Sequence, residues 1–473
     1  MHKRLEEILH ITKGEWVGEK ERLTTEITRL STDTRTLLPG TLFVPLSGER
    51  FDGHDFVEEA FAKGAVSSFW KRGKRIPQSL VNAPLILVED PLTAMQELSS
   101  TYRQETGCLI IAITGSNGKT TTKDLITSLL KERYRVHATD GNLNNHIGLP
   151  LTLLSMPEKT EIAVVEMGMN HFGELERLSR IARPDMAVIT NIGEAHLEYL
   201  GTREGIATAK TEILSGMDER GILYYPAEEP LIPATSRFKA FSGKKISCGF
   251  TEKGMIQGRV VKDLGLEGTL LEALFNSSQG AGAPSSLKVT IPLPGRHLAQ
   301  NALYALAIAT HLGLTPSEIE KALRSMTHTK MRMQVEKGVN GITLINDAYN
   351  ASPTSMRAAL RFLEELEGYE QKIAILGDMG ELGPDAPALH RQIGRELYPG
   401  RIDYVFVTGP LAKEYEEGAK EKGYPHVKHF SSREGLIEAV CSLATPTTVV
   451  LLKASRFMHF EEIGKAIMRE KVE

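Results

Sequence analysis

An apolar run from Cys108 to Ile113 leads directly into Thr114-Gly-Ser-Asn-Gly-Lys-Thr-Thr-Thr122, and Leu125, Ile126, Leu129 and Leu130 then recur at helical spacing. Strand, glycine loop, Lys-Thr and helix in that order commit this stretch to a parallel α/β sheet with the loop at a helix N-terminus. Gly115 and Gly118 let backbone N–H groups of the loop, including those of Ser116, Asn117 and Thr121, approach phosphate oxygens. Lys119 brings positive charge, and the Thr120 hydroxyl suits magnesium. The orphan N–H groups and macrodipole of the helix favour the same anion. A full G-x-x-x-x-G-K-[ST] pattern would require glycine where Ile113 stands, so a plain glycine turn is the competing reading.

The 473 residues exceed one ordinary core and imply about three domains. Lys plus Arg number 56 against 60 Asp plus Glu, a balance that offers no electrostatic reason for a nucleic-acid or membrane-surface role. Three scattered cysteines, Cys108, Cys248 and Cys441, form neither a disulfide framework nor a zinc pattern, and fit a reducing cytoplasm. Met1 to Thr12 reads as a short amphipathic helix without the apolar core of a signal sequence, and no run is long enough to span a membrane.

Before the loop, Thr41 to Val44, Ala65 to Phe69 and Leu85 to Val88 read as strands, and Thr93 to Gln104 as a helix. After it, strands at Ile162 to Val165 and Met186 to Thr190 alternate with helices beyond Gly173 and Thr202, as in a parallel sheet. Asn276 to Ser286 reads as a flexible loop. Ile342 to Ile345, Lys372 to Leu376, Tyr404 to Val407 and Thr448 to Leu452 suggest a second parallel sheet. The expected fold is α/β in three domains: a small N-terminal domain over 1–104, a central phosphate-loop domain with a mainly parallel sheet over 105–325, and a C-terminal Rossmann-like domain over 326–473.

Ligands of such sheets bind beyond the carboxyl ends of the strands, where Glu166, Asn191 and His196 fall. Alone, Glu166 could cap a turn as readily as hold magnesium, His196 could be structural, and Lys210 could be a solvated lysine. The loop above, Gly141-Asn-Leu-Asn-Asn-His-Ile-Gly-Leu-Pro150, Glu166-Met-Gly-Met-Asn-His171 and Asn346-Asp-Ala-Tyr-Asn-Ala-Ser-Pro353 together resemble the Mur ligase family across nearly the whole chain. The last of these, with Gly377-Asp-Met-Gly-Glu-Leu-Gly383, is similar to the members that join D-alanyl-D-alanine to UDP-N-acetylmuramoyl-tripeptide. The Asp-Asn-Pro-Arg pattern of a sister activity is absent.

The resemblance implies an ATP-dependent ligase of peptidoglycan synthesis, and hence a part in cell shape and division. It also implies two magnesium sites and small-molecule substrates only, with a monomer expected. Lys119, His196, Lys210 and Arg332 would be catalytic, and Thr120, Glu166, His196 and Lys210 would hold metal, Lys210 as a carbamate. Asn301, Arg332, Asp347, Tyr349 and Asn350 would join the loop in contacting ATP, and the C-terminal domain would close over it. Ser31 and Arg35 in Ser31-Thr-Asp-Thr-Arg35, with Phe51-Asp-Gly-His-Asp55, would meet the UDP-sugar. Asn144, Asn145, Asn170 and His171 would line the muramoyl-peptide path, with Lys453, Ser455 and Arg456 facing the reacting peptide and Asp378 the dipeptide. The chain departs from the family pattern at Leu298, after Gly295-Arg-His297, and at Ala454 in Lys453-Ala-Ser-Arg456. A folylpolyglutamate-synthase-type ligase and a non-catalytic nucleotide-binding regulator are the rival readings.

Overall fold

The loop strand, Leu109–Thr114, lies inside a nine-stranded sheet and is flanked by Met186–Ile189 and Ile162–Glu166, both parallel to it. Its successive side chains point to opposite faces, so Ile111 and Ile113 enter one apolar core while Ile110 and Ala112 enter another. That double burial accounts for the unbroken apolar run ahead of the loop. The computed structural model describes residues 1–48, 51–275, 285–295, 298–327, 329–398 and 400–468.

Three sheets carry the α/β architecture. The N-terminal one has five strands in the order Glu15–Val17, Leu85–Val88, Ala65–Lys71, Thr41–Phe43, Arg29–Ser31, parallel except at the first. The C-terminal one has six, with Thr343–Asn346, Thr448–Lys453, Gln371–Leu376, Tyr404–Val407 and Val427–His429 parallel and Gln334–Lys337 antiparallel at the edge. Side chains from the central and C-terminal sheets, from Ile111 to Leu451, belong to one continuous apolar core, so these two parts are packed against each other.

Two sequence expectations are corrected. Met1 to Thr12 is not one helix: Lys3–Arg4 pairs as a strand with Glu26–Ile27, and the helix spans only Leu5–Ile11. The central sheet also extends through an antiparallel edge, Ile256–Asp263, Thr269–Phe275 and Ser286–Ile291, that the sequence reading omitted. Leu287, Val289 and Ile291 are buried while Ser286, Lys288 and Thr290 are exposed, the period-two pattern of a strand with one wet face. Most of the loop expected at Asn276 to Ser286 lies outside the described residues, as do Arg296 and His297. No helix among the described residues is long and apolar enough to cross a membrane.

In the N-terminal sheet the Asp52 carboxylate gathers the Ser47 hydroxyl (3.0 Å), the Lys74 amine (2.6 Å), and the His54 backbone N–H (3.0 Å) and Nδ1 (2.6 Å). Because His54 Nε2 accepts the Lys71 N–H, the ring proton sits on Nδ1 and is directed at Asp52. Burial alone would raise the Asp52 carboxyl, but Lys74, His54 and Ser47 together hold it below the usual carboxylate range. A depressed carboxyl stabilises the fold above its unfolded value, and the benefit is lost as pH falls through the folded one. Asp52→Asn should cost about 2 kcal/mol and lower the unfolding midpoint at pH 7, with the difference from wild type shrinking in strong acid. Thermal melts at the two pH values measure this.

Candidate active site

The glycine loop is tied to the end of the neighbouring strand by hydrogen bonds. Asn191 accepts the Ser116 N–H on its backbone oxygen (3.1 Å) and the Asn117 N–H on its carboxamide (3.0 Å), while the Thr190 hydroxyl donates to the Asn117 carbonyl (2.6 Å). Gly193 N–H donates to Ser116 Oγ (2.9 Å). Gly115 and Gly118 take φ values of 147° and 80°, and there is no room for a side chain at either. A Cβ at Gly115 would stand 1.7 Å from Thr190 Oγ1, and one at Gly118 would stand 2.6 Å from Asn301 Oδ1. Gly118→Ala should therefore raise the ATP KM at least about tenfold through backbone strain and displacement of Asn301. Nucleotide titration of the variant measures it.

Lys119, the first residue of the helix Lys119–Leu130, folds its amine back onto the Gly115 carbonyl (2.8 Å). Burial pushes this amine's pKa down, and Glu166 partly restores it. Glu166 ends its strand with both oxygens engaged: Thr120 Oγ1 donates to one (2.9 Å) and Asn144 Nδ2 to the other (2.8 Å). Lys210 ends the helix Arg203–Lys210, 1% exposed, with no hydrogen bond or ion pair to its amine among the described residues. Burial, reinforced by Lys119, drives that amine well below the ordinary lysine range. His196 adopts a left-handed φ of 67°, and its Nδ1 lies 2.7 Å from a carboxylate oxygen of Glu381 on the C-terminal sheet's loop. Burial lowers the imidazole pKa, opposed by the Glu381 carboxylate, while the His196 contact lowers Glu381.

A hydroxyl and a carboxylate already within 2.9 Å of each other suit a hard cation that prefers oxygen. No cluster of three or more His, Cys, Asp and Glu side chains suited to a metal occurs among the described residues.

Between the central and C-terminal sheets is a cavity of about 210 Å³, lined by Asn117, Gly118, Thr121, Asn191, Asn301, Arg332, Asp347, Asn350 and Lys453 among others. Arg332 stacks its guanidinium 4.2 Å from the Tyr349 ring, and its buried Nε has no hydrogen-bond partner. An unpaired buried donor beside a phosphate loop is a ready anion contact. Met331 and Met333, on either side of Arg332, both take positive φ, 61° and 53°. Asn350 uses its side chain to accept the Ala351 N–H (2.9 Å).

Several of the expected substrate contacts are engaged within the protein. Lys453 is 2% exposed and its amine is bound to Asp347 Oδ2 (2.5 Å) and the Asn350 carbonyl (3.0 Å), bracing the wall of the cavity between the two sheets. Burial depresses that amine and Asp347 partly restores it. Asp378 is buried, accepts the Leu411 N–H, and lies where a Gly409 Cβ would collide with it, so it anchors a turn. Asn145 accepts the N–H groups of Ile147 and Gly148 and shapes the start of a helix. Arg35 is exposed and turns back onto Asp33, whose carboxyl it holds down at about 2.

Of the remaining candidates, Asn170, His171 and Arg456 are exposed, Ser31 is half-buried and Ser455 is buried. Ser31 lines a cavity of about 660 Å³ with Thr36, Leu151 and Ser155 between the N-terminal and central parts. Asn170 and His171 donate their N–H groups to Glu174, and the His171 ring lies 4.6 Å from Tyr199. Ser455 accepts the Gly380 N–H (2.8 Å), and Arg456 reaches the Met331 sulfur (3.1 Å). Sequence reasoning did not include Glu381 or Thr354 in the site. Thr354 donates to Glu194 across the cleft. Glu381 stands inside a quoted motif, but only the packing of two sheets brings it to His196.

Three family models match: Mur ligase family, catalytic domain over 26–103, Mur ligase middle domain over 113–309, and Mur ligase, glutamate ligase domain over 331–456. The chain is 45% identical over 447 residues to the UDP-N-acetylmuramoyl-tripeptide--D-alanyl-D-alanine ligase of Bacillus subtilis (strain 168), covering 94% of each. It aligns with a crystal structure of MurF from Acinetobacter baumannii at a TM-score of 0.87 and 32% identity over 99% of each chain. With the MurF ligase of Thermotoga maritima in complex with ADP the TM-score is 0.79 at 28% identity, over 93% of this chain and 97% of that one. A glycine loop tied to its neighbouring strand, a cleft closed by a second parallel sheet and matched segments reaching from 26 to 456 leave one conclusion: the chain belongs to the Mur ligase family.

Proposed function

We propose that this chain is an ATP-dependent ligase that joins D-alanyl-D-alanine to UDP-N-acetylmuramoyl-tripeptide, forming the UDP-N-acetylmuramoyl-pentapeptide precursor of peptidoglycan. The carrying observation is 45% identity over 447 residues, 94% of the chain, to a ligase of that activity. The reaction consumes ATP and belongs in the cytoplasm. Every group assigned to it comes from one chain, so a monomer suffices. We retain the division at 104/105 and 325/326 as sugar-nucleotide, ATPase and closing domains.

The terminal carboxylate of the tripeptide attacks the γ-phosphorus, ADP departs, and an acyl phosphate forms. The dipeptide amine then adds to the acyl carbon, and phosphate leaves with the oxygen that belonged to the carboxylate. Two anions must meet in the first step, so Lys119 and Arg332 neutralise charge on the transferring group, and the loop N–H groups of Gly115 to Thr121 hold the phosphates. Asn301 and Asn350 position the nucleotide, with Tyr349 supporting Arg332 and the Asp347–Lys453 pair forming the cavity wall. Thr120 and Glu166 would hold one magnesium and His196 and Lys210 a second, which when bound supplies further charge neutralisation. We assign the buried Lys210 amine, whose charged form burial opposes, to carbamate formation with carbon dioxide, which replaces it with an anionic carbamate and releases a proton. Closure of the C-terminal sheet over the bound nucleotide would keep out water that hydrolyses the acyl phosphate.

Phosphate release measured with each substrate omitted in turn tests the assignment. Release should require ATP, UDP-N-acetylmuramoyl-tripeptide and D-alanyl-D-alanine together, and comparing tripeptides ending in lysine and diaminopimelate reads the specificity. Release that ignores the dipeptide would reject the reading.

A further inference from the structure

The loop Gly377 to Gly383 crosses from the C-terminal sheet to the central one with its backbone fixed at both ends. Met379 N–H donates to His390 Nε2 (2.9 Å), and the His390 ring is itself set by a 2.6 Å contact from Nδ1 to the Ala386 carbonyl. Gly380 N–H donates to Ser455 Oγ (2.8 Å), and Gly383 packs so closely on Glu198 that a Cβ would sit 3.2 Å from its Cα. Glu381 lies between these anchors with a φ of 60°, and the residue it reaches, His196, has a φ of 67°. Two non-glycine residues in the left-handed region, one from each sheet, are thus held facing each other, a form of strain that accompanies functional placement.

Glu198 is exposed on the outer side of this corner, and four other carboxylates near it are committed elsewhere. Both oxygens of Glu166 are taken by Thr120 and Asn144, and Asp347 is bound to Lys453. Asp378 is buried beneath the Leu411 turn, and Glu194 is held by Thr354 and Arg357. Glu381 has a side chain 45% exposed, and His196 is its one ion-pair partner among the described residues. It also stands near enough to Lys119 for the two charges to interact, which puts it beside the group that meets the transferring phosphate.

We propose that Glu381 is the recognition carboxylate for the ammonium group of the incoming dipeptide, placing that nitrogen beside the acyl phosphate. The inference rests on the ligase reading above. The nucleophile arrives from solution as an ammonium ion, so a cation has to be received at the corner where the acyl phosphate forms. A carboxylate presented at the cleft mouth, fixed by backbone strain and by His196, meets it with a charge-assisted hydrogen bond. This also gives the Gly377-Asp-Met-Gly-Glu-Leu-Gly383 motif a division of labour: Asp378 holds the turn and Glu381 meets the ligand.

The test is calorimetric binding of D-alanyl-D-alanine and of N-propanoyl-D-alanine, which lacks only the amine, to enzyme loaded with a non-hydrolysable ATP analogue, magnesium and UDP-N-acetylmuramoyl-tripeptide. Wild type should prefer the amine-bearing ligand by about tenfold or more. Glu381→Gln should bind the two alike while keeping its affinity for the ATP analogue, and Glu198→Gln, altered on the exposed side of the same corner, should retain the preference. An unchanged preference in Glu381→Gln, no preference in wild type, or equal weakening of all three ligands in the variant would overturn the proposal, the last by showing that Glu381 serves closure alone. Wild type that makes no pentapeptide product at all would instead count against the ligase reading.

Discussion

Lys119→Ala should lower turnover on the order of a thousandfold or more while leaving the protein folded. In phosphoryl transfer, positioning and charge neutralisation supply nearly all of the catalysis, and a single well-placed cation is worth about 10³ in rate. The Lys119 amine sits on the Gly115 carbonyl at the mouth of the loop, with Glu166 and Arg332 close enough to affect its charge. Its burial opposes the charged form, so the fold does not depend on it for stability. The loop is held by Asn191, Thr190 and Gly193, none of which the substitution touches. An unchanged unfolding midpoint with turnover lost is the expected pair of results. Turnover within tenfold of wild type would show that another group carries the transferring charge.

Lys210 should combine a large catalytic loss with a gain in stability. The amine is 1% exposed, and burial plus Lys119 drive its pKa well down. Burial opposes the charged form that the unfolded chain, with a lysine pKa of about 10.4, carries freely, so this group costs stability at neutral pH and the cost fades as pH rises. Lys210→Met removes that cost and fills the volume, and should raise the unfolding midpoint at pH 7 while lowering turnover by about a hundredfold or more. The carbamate has a readout of its own: enzyme equilibrated with ¹³C-bicarbonate should show a carbamate carbon resonance that Lys210→Met lacks. A lower midpoint for the variant, or identical spectra for the two proteins, would contradict this account of Lys210.

What could be read from the sequence was mostly local. Strand, glycine loop and helix from Cys108 to Leu130 are contiguous, and the order of strands after it sufficed to bring Glu166 to the loop. The ends of parallel strands were found because a buried strand carries its own apolar signature, as at Tyr404–Val407. Long-range pairing was less legible. Nothing near Lys453 in sequence points to Asp347, 106 positions away, and the amine expected to face a peptide spends its charge on that carboxylate. Asn145 and Asp378 share a different cause: short polar side chains that look available for ligands are equally suited to backbone N–H groups, and here those groups claim them. The antiparallel edge was available from the alternation at Ser286–Ile291 but went unread, since the preceding residues look like a loop.

The measurement that bears most directly on carboxylate activation follows one oxygen. UDP-N-acetylmuramoyl-tripeptide labelled with ¹⁸O in its terminal carboxylate is converted with ATP and D-alanyl-D-alanine in unlabelled water, and the released phosphate is analysed by mass. An acyl phosphate made on the Lys119 loop transfers one labelled oxygen to every phosphate formed. Phosphate free of label would mean that water took the phosphoryl group, and the mechanism assigned to this cleft would be wrong.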